Sequence, residues 1–371
     1  MLKIELQADQ WDSPGALETH RVAWDDLWQR TDGCRPAELA GATAAWLRHF
    51  AAKHAVRIPY VRGPGDRLHA AIVLHAPRRG SPRRPATLTA NPWNPGIGLL
   101  WDRSAPTADT ANRLAVQIRN CGFPLIRLLD VPVEDRPWPT LLDALAGAGL
   151  HLAVTPSRDN LAIDLTAGLD IVRGRMSQGL RKTLRRCRRK LADRGDLAVR
   201  VESPSTAAAL SLLEQALAIE HAGWKGAAGT SVRSLPEAHA YFRDLAVIAA
   251  DAGTLRVSFL ELSGRAIACE IGTIARGVYH STKVAYDEAF AAESPGHLLM
   301  EALLERFAGA GLRRFDCLSP PTPALLRWGP QHQRRARVLI APPGPMGRLI
   351  TRGFRFAHAA KRKLASASAN G

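Results

Sequence analysis

The stretch that most restricts the fold lies between residues 254 and 318. It reads TLRVSFLEL, a turn at Ser263-Gly264, RAIACEIGTI, a second turn at Arg276-Gly277, GVYHSTKVAY, a helical pattern from Pro295, and then LRRFDCLS. Three β-type runs joined by short turns make a meander, and the helix after them returns the chain to one more strand. Helical patterns near 206–222 and 235–252 precede the meander. The first half repeats this order: a helix near 36–54, RIPYVRG, the turn PGD, RLHAAIVLHAP, ATLTANPW, a helix at 107–121, and FPLIRLLDV. Two copies of helix, antiparallel strands, helix and strand indicate an internal duplication of low identity, with its boundary between 155 and 168.

The helix after the meander has a legible start. Ser294 is an N-cap residue type, Pro295 suits the first helical position because it has no N–H to leave unpaired, and Leu299, Leu303 and Phe307 recur at helical spacing before Gly311. First-turn amides lack internal partners and carry the positive end of the helix dipole, so a strand feeding such a start is a phosphate site in waiting. An ordinary capped connection reads the same way, and Gly296 alone does not separate the two.

At 371 residues with 46% hydrophobic content, the chain can bury two cores, and it contains no apolar run near 18 residues. The start, MLKIELQADQWDSPG, is too acidic and too broken for a secretory signal, so the expected setting is cytoplasmic. Cysteines 34, 121, 187, 269 and 317 are scattered and odd in number, which points to reduced, buried thiols. Neither they nor the twelve histidines show metal-ligand spacing, no nucleophile-elbow sequence occurs, and no metal is expected.

The net charge is +16, gathered in residues 173–200 and from Arg327 to Lys363. In the first cluster Leu180, Leu184, Cys187 and Leu191 mark one face of a helix whose other faces carry Arg181, Lys182, Arg185, Arg186, Arg188, Arg189 and Lys190. A solvated face is the plain reading. Like charges at helical spacing repel, however, which favours an anionic partner: a cofactor phosphate, an RNA backbone or an acidic membrane surface.

Residues 160–330 resemble the GNAT acyltransferases, and specifically the acetyltransferase-like family named after cellulose-biosynthesis proteins, related to the Fem-type aminoacyl transferases. The resemblance rests on LRKTLRRCRRKLADRG, on IEHAGWKGAAGTS, on YHSTKVAYDEAFAAESPGHLL and on FDCLSPPTPALLRWG. It implies an α/β (α+β) fold of tandem GNAT-like domains, each a mixed, mainly antiparallel sheet flanked by helices. The expected divisions are a degenerate first domain at 1–160, the acyltransferase domain at 161–335 and a basic extension at 336–371. Residues 279–298 stand where such enzymes hold acyl-CoA, which assigns Ser294, Pro295, Gly296, His297 and Leu298 to the cofactor. ESPGHLL replaces the usual glycine-rich phosphate turn; some Fem-like relatives with this departure take the acyl group from aminoacyl-tRNA.

Acyl transfer to an amine or hydroxyl requires a base for the nucleophile's proton and a donor for the carbonyl oxygen. Asp287, His280 and Glu220 are the candidate bases, and Lys225 and Lys283 the candidate charge stabilisers. Each has a plain alternative: a surface pair of Lys283 with Asp287, or a core histidine at 280. Trp224 and Trp328 read as packing residues, and Asp316 as orienting a neighbour. The leading expectation is an acyl-CoA-dependent N- or O-acyltransferase, with acetyl-CoA the first donor expected, acting on a sugar, amino sugar or cell-envelope (polysaccharide) precursor. An aminoacyl-tRNA-dependent transferase and a non-catalytic polyanion- or membrane-binding protein are the alternatives. In the first half, Gly96 and Gly98 stand where the second has its cofactor turn, without a Lys-Asp pair, so that half is expected to shape the acceptor cleft. The terminal segment from Met346 to Leu364 places Leu349, Ile350, Phe354, Ala357, Ala360 and Leu364 at helical spacing, with Arg348, Arg352, Arg355, Lys361, Arg362 and Lys363 on or beside the opposite face. That pattern fits a docked helix or a peripheral contact with the inner membrane.

Overall fold

The run HAVRIPYVR is buried along most of its length because it is an inner strand with neighbours on both edges. A computed structural model of the chain, describing residues 5–78, 84–94 and 98–369, divides into two units. The first comprises 1–34, 38–158 and 334–371, and the second 35–37 and 159–333.

In the first unit β1 (Gln7–Trp11), β2 (His54–Arg62), β3 (Leu68–Ile72) and β5 (Leu99–Trp101) follow one another in an antiparallel sheet, and β4 (Leu74–Pro77) also pairs with β2. RLHAAIVLHAP is therefore two strands: β3 pairs with Tyr60–Arg62, and β4 pairs with the other end of β2, His54–Arg57. ATLTANPW makes isolated bridges only, His75 with Thr87, Ala86 with Ile126 and Asn91 with Asn94. Its end is turned aside by Asn91, whose Oδ1 accepts from the amides of Trp93 and Asn94 at 3.0 and 2.9 Å. Gly96 lies outside the described residues; Gly98 has φ +66°.

A second sheet in this unit has the order β6 (Ile126–Val131), β15 (Ala336–Ala341), β7 (His151–Pro156), all antiparallel. Residues from 336 onward, expected as an extension, thus enter the first unit as its central strand and continue into the helix Pro345–Ala369. Val338 and Ile340 of β15 share a core with Leu114, Ile118, Trp138 and Leu141.

His75 on β4 is 4% exposed, stands 2.8 Å from His54 between the two Nδ1 atoms, and meets the Leu88 carbonyl oxygen through Nε2 at 3.0 Å. Burial, then the neighbouring His54, lower its pKa to about 4. The unfolded chain therefore takes up this proton near pH 6.5 while the folded unit refuses it until about pH 4. The first unit should lose about 2 kcal/mol of stability between pH 7 and pH 5 through this group. Urea midpoints at the two pH values check this: the His75→Leu variant should lack this part of the slope, and an unchanged slope would show that His75 does not titrate in that window.

The second unit holds β8 (Asn160–Asp164), β9 (Leu197–Glu202), β10 (Leu255–Leu262), β11 (Arg265–Ala275), β12 (Val278–Tyr286), β13 (Arg314–Asp316) and β14 (Gln331–Gln333). Their order is β14-β8-β13-β12-β11-β10-β9. The expected meander is β10 to β12, while β12 and β13 run parallel. The helix Gln178–Ala192 buries Leu180, Leu184, Cys187 and Leu191, the face read from the sequence, and Ser177 caps it by accepting from the Leu180 amide at 3.2 Å. That face shares a core with Leu299, Leu303 and Phe307 of the helix Pro295–Gly309, and with Tyr279, Phe315 and Trp328. All five cysteines are buried.

Candidate functional site

The parallel pairing of β12 with β13 lasts only three residues, from Val278↔Arg314 to His280↔Asp316. Beyond it β12 continues along β11 to Tyr286, whereas β13 turns toward β8, where the Cys317 amide donates to the Leu161 carbonyl at 3.0 Å. The two strands splay. Asp316 holds the turn that parts them, its Oδ1 accepting from the amide of Leu318, a residue with φ +46°. A cleft of about 620 Å³ opens in the gap. One wall is β12 from Ser281 to Tyr286; the other includes Phe315, Cys317 and Ser319; Ser294, Gly296 and His297 at the helix start and Arg327 also line it.

The edge of β12 that faces this gap has no strand partner beyond His280 among the described residues, so its outward peptide groups are open to an extended ligand. A bulge between Ile271 and Gly272 leaves Thr282 opposite no residue of β11 and re-aims the side chains of the strand beyond it. Lys283 consequently reaches Glu220 on the helix Thr206–Ala222, at 3.4 Å from Nζ to Oε1, and Lys225 reaches the same oxygen at 3.3 Å. Glu220 is 4% exposed, and its Oε2 accepts from the Val232 amide at 2.9 Å. Both of its oxygens are thus engaged. Burial, then the Lys225 ammonium, pull Lys283 below its ordinary pKa against the attraction of Glu220.

Three expected residues therefore meet, and two do not join them. Asp287 accepts from the Ala289 amide at 3.0 Å and pairs with Arg265 at 2.5 Å, so it caps the short 3₁₀ turn Glu288–Glu293 and makes no pair with Lys283. His280 is buried with neither ring nitrogen hydrogen-bonded among the described residues, held neutral by burial and then by the charges of Arg35 and Arg314. It is not among the residues lining the cleft. Trp224, expected to pack, is 62% exposed, its amide donating to Glu288 Oε1 at 2.6 Å; Trp328 is buried.

At the helix start, Ser294 occupies the cap position at φ +50° but makes no side-chain cap hydrogen bond. Pro295 and Leu298 are buried, while Ser294, Gly296 and His297 face the cleft. The Trp328 indole donates to His297 Nδ1 at 3.1 Å, which leaves any ring proton on Nε2, and burial together with Arg327 holds this imidazole below its ordinary pKa.

Glu270 on β11 is a site residue that sequence reasoning missed. It lines the cleft, is 1% exposed, and its Oε1 has no hydrogen-bond partner among the described residues. Burial pushes its carboxyl up to about 7, with the hydroxyls of Ser281 and Tyr279 acting against burial. A carboxyl poised near neutrality in a cleft is suited to proton transfer. The signal was present in RAIACEIGTI, where one carboxylate interrupts an apolar strand. Among the described residues no cluster of side chains could hold a metal ion.

Residues 178–323 match the family model described as an acetyltransferase (GNAT) domain. The second unit carries a GNAT acyltransferase domain. Over the whole chain, the FemX crystal structure superposes with TM-score 0.59 at 11% identity, covering 92% of this chain and all of that one. The C-terminal domain of a putative lysylphosphatidylglycerol synthetase from Agrobacterium fabrum gives 0.54 at 14% identity, covering 87% and 92%. A conserved protein of unknown function from Bacteroides thetaiotaomicron gives 0.54 at 11%, covering 89% and 99%. At these identities the likeness is one of fold. No curated protein matches the sequence. Most of β12 and the helix start fall within 279–298, the segment expected to hold the acyl donor.

Proposed function

We propose that the GNAT domain transfers an acyl group from acyl-CoA to an amine or hydroxyl of a sugar, amino sugar or cell-envelope precursor, by direct attack while donor and acceptor are both bound. The observation that carries this reading is the near-neutral carboxyl of Glu270 in a cleft whose open strand edge leads to a helix N-terminus. Glu270 takes the proton of the attacking amine or hydroxyl as its bond to the acyl carbon forms and the carbon–sulfur bond breaks. The same proton then passes to the departing thiolate, which returns Glu270 to its ionised form. Lys283 and Lys225 supply positive charge on the cleft, moderated by Glu220. The outward edge of β12 pairs with the extended pantetheine arm, and the Gly296 amide with Arg327 meets the pyrophosphate. Titration calorimetry with acetyl-CoA and longer acyl-CoAs tests the reading, and absence of binding to all of them would remove it.

Gly296→Val tests the cofactor end. A Cβ there would meet Tyr286 at 3.6 Å and Val284 at 3.9 Å, which is ordinary contact, so the protein should fold. The branched methyls would crowd a phosphate on the first turn, and acyl-CoA affinity should fall about tenfold or more. Unaltered affinity would place the cofactor elsewhere.

A second reading is favoured by one observation. On the helix Gln178–Ala192, Arg188 pairs with Glu301 at 2.6 Å, while Arg181, Lys182, Arg185, Arg186, Arg189 and Lys190 are exposed without an acidic partner among the described residues. Such a stripe suits the backbone of an aminoacyl-tRNA donor. Salt-sensitive retention of charged tRNA together with no acyl-CoA binding would select it.

A further inference from the structure

We propose that the outward face of the helix Pro345–Ala369 docks on an anionic phospholipid surface. The helix lies on β7 and β15 of its own unit, through Gly347 and Thr351, which are buried, and Ile350 and Phe354, which are half-buried. The Arg355 guanidinium donates to the Leu152 carbonyl oxygen at 2.7 Å. The apolar face expected from the sequence is therefore divided: Ile350 and Phe354 pack, while Leu349 and Ala357 are exposed. Arg362, Lys363 and Leu364 have side chains outside the described residues.

Among the described side chains of this helix, three large apolar ones remain in water: Met346 at 63% exposure, Leu349 at 66% and Phe356 at 78%. At about 100° per residue they fall in one sector about 80° wide. Arg348, Arg352 and Arg355 lie along one flank of that sector and Lys361 lies beyond the other, all exposed. No aspartate or glutamate occurs after Asp316 in the sequence, so nothing on this helix neutralises them.

An apolar stripe flanked by cations matches an interface where acyl chains lie beneath acidic headgroups. A second copy of the chain would bring the same positive face and repel. An RNA backbone would use the arginines but leave the phenylalanine and leucine in water. No helix of the described residues is long and apolar enough to cross a membrane, so the contact lies in the plane of the surface.

Co-sedimentation of the full chain with phosphatidylcholine vesicles, with and without about one third phosphatidylglycerol, tests the proposal. Binding is expected to the anionic vesicles alone and to be released near about 1 M salt. The double variant Leu349→Glu/Phe356→Glu should partition at least about tenfold more weakly with unchanged thermal melting, because both side chains are exposed. Failure of the unaltered protein to bind anionic vesicles overturns the proposal, as does equal sedimentation of the double variant. So does a change of oligomeric state in the double variant by analytical ultracentrifugation, which would assign the stripe to a second copy. Loss of vesicle binding in Arg185→Gln/Arg186→Gln, with the double variant unaffected, would assign the attachment to the other basic helix and likewise overturns it.

Discussion

Glu270→Gln should lower turnover by about 10²- to 10⁴-fold with little change in acyl-CoA affinity, because the amide fills the same space but accepts no proton. The acid limb of the pH–rate profile, expected near pH 7 from the raised carboxyl, should vanish with it. Stability supplies a readout independent of the reaction. A carboxyl raised from 4.5 to about 7 contributes fully below pH 4.5, and that contribution is lost as pH rises to 7. Above pH 7 the ionised Glu270 should cost the native state about 3 kcal/mol. The glutamine variant should therefore gain on the parent in thermal melting from pH 5 to pH 8. A turnover loss without that gain would show that Glu270 is not raised, and unchanged turnover would show that it is not the base.

Glu220→Ala is the second large expectation, and it concerns the support of the site. Removing this carboxylate leaves Lys225 and Lys283 facing one another and the Val232 amide unpartnered in the interior. The expected loss is about 3–5 kcal/mol, or roughly 10 °C in melting for a unit of this size. Adding Lys283→Met to that background should recover part of it by removing one of the two like charges. Melting of Glu220→Ala within a degree of the parent would show that the triad contributes nothing to the fold.

Local pattern made much of this legible. The meander from 255 to 286, the helix from Pro295 and the buried face of the basic helix arise from period-2 and period-3.6 signals that tertiary structure did not override. Gathering Glu220, Lys225 and Lys283 was within reach because each lay in a segment singled out by resemblance. Pairing Lys283 with Asp287 failed because the bulge at Thr282 re-aims the lysine, and a bulge has no period to detect. Glu270 was hidden in a strand read only for its apolar content. The placement of β8 beside β13, and of β15 between β6 and β7, depends on contacts distant in sequence, on which local periodicity is silent.

The interleaving of β15 between β6 and β7 has a consequence for synthesis. Both neighbours emerge from the ribosome early, yet the strand that joins them starts at residue 336, about 180 residues after β7 ends at Pro156. At ordinary elongation rates that is a wait of about 10–35 s. Throughout it, β6 and β7 each present an unzipped margin to whatever passes. The second unit, which apart from residues 35–37 runs unbroken from 159 to 333, can complete itself in the meantime, so the earlier-made unit is the later one to close. Nascent-chain chaperones would be needed longest by the half that was translated first.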